Sequence, residues 1–392
     1  MSKDATVVGL VAAGHALSHF LQLVLPPLFP LIRESLGISY STLGFMVMLF
    51  FVASAVLQPL AGFLVDRVGG RNVLICGVGF MTAGMLIASL AGSAPLLALG
   101  LLVMGVGNSV FHPADFSILN GRVTPARLGY AFSAHGIAGS LGFAAAPLFS
   151  AGISALYGWQ TALIAAAGVG LAVLVAMLAN AHHLHVDQAH RKQKVVHDVR
   201  VLLSPPVLLC FLFFLVWGGA YAGLSTFSIS AMQLQFEVGA TWAASAVTAY
   251  MIGSAGGMLA GGYVAAHSMR HDIVAASGLS IAALVMLAIA AGAVPGAALP
   301  LAFGLAGFTA GVTYPSRDLI VRASTPPGAA GRVYGFVYSG LDLGSVLTPV
   351  CYGLMIDNGI PQAVFYAIFG FTVCAIFTVL QLPGRRGAIR RT

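Results

Sequence analysis

Residues 41–91 read STLGFMVMLFFVASAVLQPLAGFLVDRVGGRNVLICGVGFMTAGMLIASLA, and their only charges are Asp66, Arg67 and Arg71. Two apolar runs, 41–65 and 72–91, flank that charged turn. Each is long enough to cross about 30 Å of hydrocarbon as a helix, which takes roughly 20 residues. A helix satisfies its own backbone donors and acceptors, as lipid demands. The pattern recurs along the chain: stretches of spanning length lie at 6–32, 41–65, 72–91, 96–121, 129–154, 159–180, 205–233, 241–266, 271–291, 297–322, 331–356 and 361–383. Asp, Glu, Lys and Arg make up 7% of the 392 residues, against about 25% in a soluble domain. The chain is therefore expected to be an all-α polytopic membrane protein with twelve transmembrane helices. A water-soluble fold is excluded.

The charges between these spans set the orientation. Lys3, Arg67, Arg71, Arg122, Arg127, Arg191, Lys192, Lys194, Arg200, Arg270, Arg322, Arg332 and the four arginines of 385–391 fall on one side, and Arg33 alone on the other. The positive-inside rule then puts both termini in the cytoplasm. The net charge of +7 follows from topology and attraction to anionic headgroups, so no nucleic-acid partner is implied. The first span is too long for a signal-peptide core and lacks a small-residue cleavage site, so it is expected to be retained. A polar interruption at 181–204, carrying His182, His183, His185, His190, Arg191, Lys192, Lys194, His197 and Arg200, separates a bundle at 1–180 from one at 205–392. Its histidines lack fixed spacing and read as a solvated basic tether at the lipid surface. Cys76, Cys210, Cys351 and Cys374 are isolated in apolar runs and read as packing residues. No metal or cofactor is expected.

The two halves are related. A shift of 202 residues superimposes Gly105 on Gly307, Val110 on Val312, Pro113 on Pro315, Ile118 on Ile320, Pro125 on Pro327, Gly129 on Gly331, Leu141 on Leu343, Gly142 on Gly344 and Pro147 on Pro349. Six spans return the second copy in the same orientation, which gives two parallel six-helix repeats able to rock about a central site. Gly219, Gly223, Gly256, Gly257, Gly261 and Gly262 read as close helix contacts.

Ionisable groups at membrane depth carry the chemistry: His15, His19, His112, Asp115, His135, Arg317, Asp318 and Asp342. A charge at mid-span costs roughly 2.5–3.5 kcal/mol on insertion scales, so such groups face a wet cavity or one another. Burial disfavours the charged form of carboxyl and imidazole alike, bringing both toward the range where protons are exchanged. His15, Ser18, His19 and Gln22 share one stripe of the first span; Tyr338, Ser339, Asp342 and Ser345 repeat this in the eleventh, and Ser54 and Gln58 in the second. Asp115 corresponds to Arg317 under the repeat, which suggests an ion pair closing an inner gate. Arg317 and Asp318 point about 100° apart on a helix and are not expected to neutralise each other. Arg317 could instead anchor an anionic substrate. Phe111, Trp217, Tyr221, Tyr314 and Tyr338 would form an amphipathic wall for an organic solute. No phosphate-binding Gly-x4-Gly-Lys loop, nucleophile elbow or His-Glu-x-x-His pattern occurs, so neither a nucleotide-driven pump nor an intramembrane hydrolase is expected.

The turn Gly62-Phe63-Leu64-Val65-Asp66-Arg67-Val68-Gly69-Gly70-Arg71 resembles the cytoplasmic loop signature of the major facilitator superfamily, and the resemblance extends over essentially the whole chain. The corresponding stretch 262–270 lacks the acid. Gly105-Val106-Gly107-Asn108-Ser109-Val110-Phe111-His112-Pro113 resembles the fosmidomycin-resistance branch of drug exporters. Here Ala114 stands between Pro113 and Asp115, and His19 follows His15 where the branch carries an acid. The resemblance implies alternating access and a gating role for Asp66, Arg67 and Arg71. It also implies a monomeric carrier in a bacterial inner membrane, exchanging protons for a small organic molecule or drug. Proton-coupled import of a carboxylate or phosphonate is the alternative.

Overall fold

The structure is a computed structural model describing residues 3–124, 127–186, 199–325 and 330–382. Every regular element among them is helical. Helix α1 (Lys3–Val24) passes through a 3₁₀ turn at Pro26–Leu28 into α2 (Phe29–Leu36), which stops at Gly37 with φ 63°. Ser39 caps α3 (Tyr40–Val68) by accepting from the Thr42 backbone N–H at 3.1 Å. The charged turn pivots on Gly69, whose φ of 90° is open to glycine at little cost. There follow α4 (Gly70–Ser89), α5 (Ala94–Asn108), α6 (Phe111–Arg122) and α7 (Leu128–Ala179). The second half holds α8 (Pro205–Ala222), a π-helical turn at Gly223–Phe227, α9 (Ser228–Phe236), α10 (Ala240–His267), α11 (His271–Ala290), α12 (Leu299–Ala323), α13 (Ala330–Leu347), α14 (Pro349–Asp357) and α15 (Gln362–Leu380).

Among the described residues, 11 segments are long and apolar enough to cross a membrane. One of them, α7, runs for 52 residues. Unbroken, it would measure about 78 Å at 1.5 Å per residue, far beyond a bilayer core. Gly158 breaks it with φ 82° and ψ 167°, and reading the two lengths separately brings the tally to the twelve expected spans.

Contacts sort the chain into two compact units, Met1–Lys194 and Val195–Thr392. Inside the first, α5 packs on α3 and α4, and α7 on α1 and α4; inside the second, α12 packs on α10 and α11, α13 on α8, and α15 on α11. Equivalent glycines make equivalent crossings. A Cβ on Gly105 would collide with the Phe50 carbonyl oxygen, and one on Gly307 with that of Tyr250. A Cβ on Gly142 would strike the Ala16 carbonyl, and one on Gly344 that of Leu215. The 202-residue offset in sequence thus has a counterpart in which backbones touch.

Three expectations need correction. Gly257 and Gly261 do meet the carbonyls of Phe308 and Val312, but Gly262 has nothing within 4 Å of a Cβ position and Gly256 only a ring carbon at 3.9 Å. They lie on the outer face of α10, one residue round from the contact. Of the cysteines, Cys210 is buried whereas Cys76, Cys351 and Cys374 are exposed, so packing accounts for Cys210 alone. The start of the expected tether is docked: Leu184 is fully buried and the Arg122 Nε–H donates to the His183 carbonyl at 3.1 Å. His190, Arg191, Lys192, Lys194 and His197 lie outside the described residues, as does the Arg200 side chain.

Candidate functional site

The fourth span is interrupted between α5 and α6 at Ser109–Val110, just before His112 and Pro113. Pro113 removes one helical N–H, and α6 restarts in a register that turns Asp115 inward to full burial. There the carboxylate meets two imidazoles. Oδ2 of Asp115 lies 3.0 Å from Nε2 of His135 on α7 and 3.4 Å from Nδ1 of His15 on α1. The His15 and His135 rings stack with centroids 3.6 Å apart. His19, one turn along α1, brings its Nε2 to 3.1 Å from the His15 Nε2.

Two facing lone pairs repel, so each of these contacts needs one proton. One arrangement supplies all of them with neutral rings and an ionised carboxylate. His19 donates to His15 through Nε2–H, while His15 directs Nδ1–H, and His135 its Nε2–H, at Asp115. The result is a continuous relay from His19 to Asp115. Gly139 makes room for it, since a Cβ there would lie 2.7 Å from the His19 ring and 2.9 Å from the His15 ring.

His112 is exposed, with its ring 5.5 Å from His15 and stacked on Phe116. Among the described residues, no hydrogen bond joins it to the backbone that Pro113 disturbs. Phe111, expected in the solute wall, is 2% exposed and packs in the core against Gly14 and Gly77. Gln22 belongs to a separate polar link: its Nε2–H donates to Asn108 Oδ1 at 2.7 Å, and Asn108 donates to the Ser54 hydroxyl at 2.8 Å. Asn108 ties α1, α5 and α3 together, and sequence reasoning did not single it out although it stands inside the quoted Gly-rich run. Asn108→Ala is expected to lower stability by about 1–2 kcal/mol, because two hydrogen bonds are lost in a membrane interior. Equilibrium unfolding in detergent measures this.

In the second unit, Arg317 and Asp318 pair directly, with Nη2 and Nε each 3.0 Å from Oδ1. This overturns the expectation from helical spacing: the guanidinium stem is long enough to curl across the 100° between neighbouring Cβ directions. The Arg317 guanidinium lies 4.6 Å from the Tyr314 ring centroid, 4.8 Å from Phe214 and 5.9 Å from Tyr338. Tyr338 donates its hydroxyl to Asp318 Oδ1 at 3.0 Å. Each partner of the expected Asp115–Arg317 gate is thus already engaged inside its own unit. Trp217, Tyr221 and Tyr250 line a cavity of about 10 Å³, room for one water. Among the described residues no hydrogen bond or ion pair reaches Asp342, which is half-buried.

At the charged turn Arg67 is exposed and the Arg71 Nε–H donates to Asn72 Oδ1 at 3.0 Å. The side chain of Asp66 lies outside the described residues. Gly70 rests on α6, a Cβ there falling 3.2 Å from the Ala114 carbonyl beside Asp115. In the second half an acid sits beyond the turn, where Arg270 and Asp272 form a two-point ion pair at 2.9 and 3.1 Å.

Comparison with known proteins agrees with this architecture. The profile of the Major Facilitator Superfamily matches residues 11–302 and 229–391. The chain is 24% identical to the fosmidomycin resistance protein of Escherichia coli K12 over 394 residues, covering 97% of this chain and 93% of that protein. It is 32% identical to a multidrug resistance protein B homolog of Mycobacterium tuberculosis over 126 residues, which is 23% of that protein. Among solved structures, the nucleoside transporter NupG (D323A mutant) superposes with TM-score 0.80 at 14% identity over 96% of this chain and 99% of that one. A bacterial homolog of the human lysosomal transporter Spinster, inward-facing and occupied, gives 0.78 at 16% identity over 97% and 95%. The chain belongs to the Major Facilitator Superfamily and is a multi-pass membrane transporter.

Proposed function

We propose that this transporter exports a small organic molecule in exchange for protons, by alternating access in a bacterial inner membrane with both termini cytoplasmic. The observation that carries the reading is the relay His19–His15–Asp115–His135, in which a fully buried carboxylate is held by two imidazoles. One added proton changes its charge and reverses the donors at its centre, so loading it alters what holds α1, α6 and α7 together. His112, exposed and 5.5 Å from His15, is the access point for protons. Export is favoured by the resistance proteins among the relatives. In everted vesicles energised to be acid inside, accumulation of a compound chosen from organic anions and cationic drugs tests this. Accumulation must collapse on adding a protonophore, and persistence without a gradient refutes it.

Import of a carboxylate or phosphonate with protons has one supporting observation, the Arg317 guanidinium among Phe214, Tyr314 and Tyr338. Its charge is already met by Asp318, which weakens that reading. If Arg317 holds up the aromatic cluster, Arg317→Lys should lower thermal stability, since an ammonium neither stacks nor forks. The apparent affinity for organic anions should then stay within about threefold, and a fall of about tenfold or more would restore the anion reading.

A further inference from the structure

The geometry points to a divalent transition-metal site formed by His15, Asp115 and His135, taking an ion of the zinc class. It uses residues of the proton relay but rests on donor geometry alone, so either can fail while the other stands.

One ligand atom from each of the three residues lies within 4.8 Å of the others. The two edges that meet at the carboxylate measure 3.0 and 3.4 Å. Zinc binds imidazole nitrogen at about 2.0–2.1 Å and carboxylate oxygen at about 2.0–2.2 Å, and in a tetrahedron these bonds separate the ligand atoms by roughly 3.3–3.5 Å. The two edges at the carboxylate therefore need adjustments of only a few tenths of an ångström, and the His15 and His135 rings, stacked in the empty form, tilt so that both lone pairs meet the ion. An independent observation concerns unused valence. Asp115 Oδ1 is buried without a hydrogen-bond partner among the described residues, and His15 Nδ1 reaches Asp115 Oδ2 only at a long 3.4 Å, on side chains 0% and 4% exposed. Such under-satisfied groups cost free energy, and a cation held by His15 Nδ1 and by both oxygens of Asp115 would satisfy them.

Two imidazoles and one carboxylate form a donor set suited to zinc, cobalt and nickel, and poorly suited to calcium or magnesium, which favour all-oxygen shells. Three ligands leave a fourth position for water. The ligands come from three helices, α1, α6 and α7, so a bound ion would clamp the first unit and exclude the protons that link the same atoms in the empty form. The basic tether, the His-rich part of the sequence, is not needed for this site.

The test uses the full chain, purified without a histidine tag. His182, His183, His185, His190 and His197 are all replaced by Ala, which removes adventitious surface binding. Titration with Co²⁺ is expected to give the visible absorption of tetrahedral cobalt, to saturate near one ion per protein, and to be reversed by Zn²⁺. His135→Ala and Asp115→Asn should each weaken binding by about tenfold or more, while Asp357→Asn at the protein surface should not. Zn²⁺ should also raise the unfolding temperature of the parent and of no triad variant. Absence of tetrahedral cobalt bands, or bands unchanged by His135→Ala, would overturn the site. If His135→Ala does not fold, His15→Gln gives the same discrimination.

Discussion

Asp115→Asn is expected to reduce gradient-driven transport to the level of protein-free liposomes while leaving substrate–substrate exchange measurable. The carboxylate is fully buried and is the common partner of His15 and His135. An amide keeps the shape and still accepts from one imidazole N–H, but it carries no exchangeable acid proton and no charge. On the alternating-access proposal, substrate moves down its own gradient without any proton-carrying group, whereas coupling needs a group that takes up a proton on one side and releases it on the other. Loss of coupling with retained exchange is therefore the diagnostic pattern. Normal accumulation under a pH gradient by Asp115→Asn would show that the relay is structural. Because a fully buried carboxylate between neutral rings has no counter-ion and such a charge is costly, the neutral amide should fold at least as well as the parent, which separates this outcome from simple misfolding.

The second large effect concerns the crossings of α1 with α7 and of α8 with α13. Gly142→Ala and Gly344→Ala place a methyl group against the carbonyls of Ala16 and Leu215. Backbone cannot rotate aside as a side chain can, so the helices must separate. Overpacking of this kind costs about 1–3 kcal/mol and more where the obstacle is rigid. Each variant should lose several degrees in unfolding temperature or fail to accumulate in the membrane. Gly136→Ala and Gly262→Ala, where nothing lies within 4 Å, should stay within about 0.5 kcal/mol of the parent. Since Ala is the better helix former, equal damage at all four positions would mean that close contact at Gly142 and Gly344 does not explain these glycines.

These pairs also show what the sequence could reveal. Spans, break points and repeat were legible because each is written in composition or period: apolar length, the turn at Gly69, the shared offset linking Gly105 to Gly307. Glycine content alone does not say which face of α10 is buried, so it does not separate Gly257 and Gly261, which meet α12, from Gly256 and Gly262. The histidines and Asp115 were recognisable as expensive residues at membrane depth, but their meeting was not. It depends on the register in which α6 restarts after Ser109–Val110, and on Gly139 admitting two rings at once. The same limit explains Arg317, because Cβ directions do not fix the path of a side chain long enough to bend round to Asp318. Phe111 has a related explanation, since a residue next to the exposed His112 points about 100° round the helix, here into the core.

Proton antiport is tested most directly by the pH inside liposomes while substrate moves. Protein is reconstituted with a luminal pH dye, the liposomes are loaded with a compound whose export has been established in everted vesicles, and they are then diluted into substrate-free buffer of equal pH. Antiport requires the lumen to acidify as substrate leaves, with the signal absent in Asp115→Asn. A lumen that turns alkaline would mean symport, and a lumen that does not change would mean that the histidine–aspartate relay carries no protons during transport.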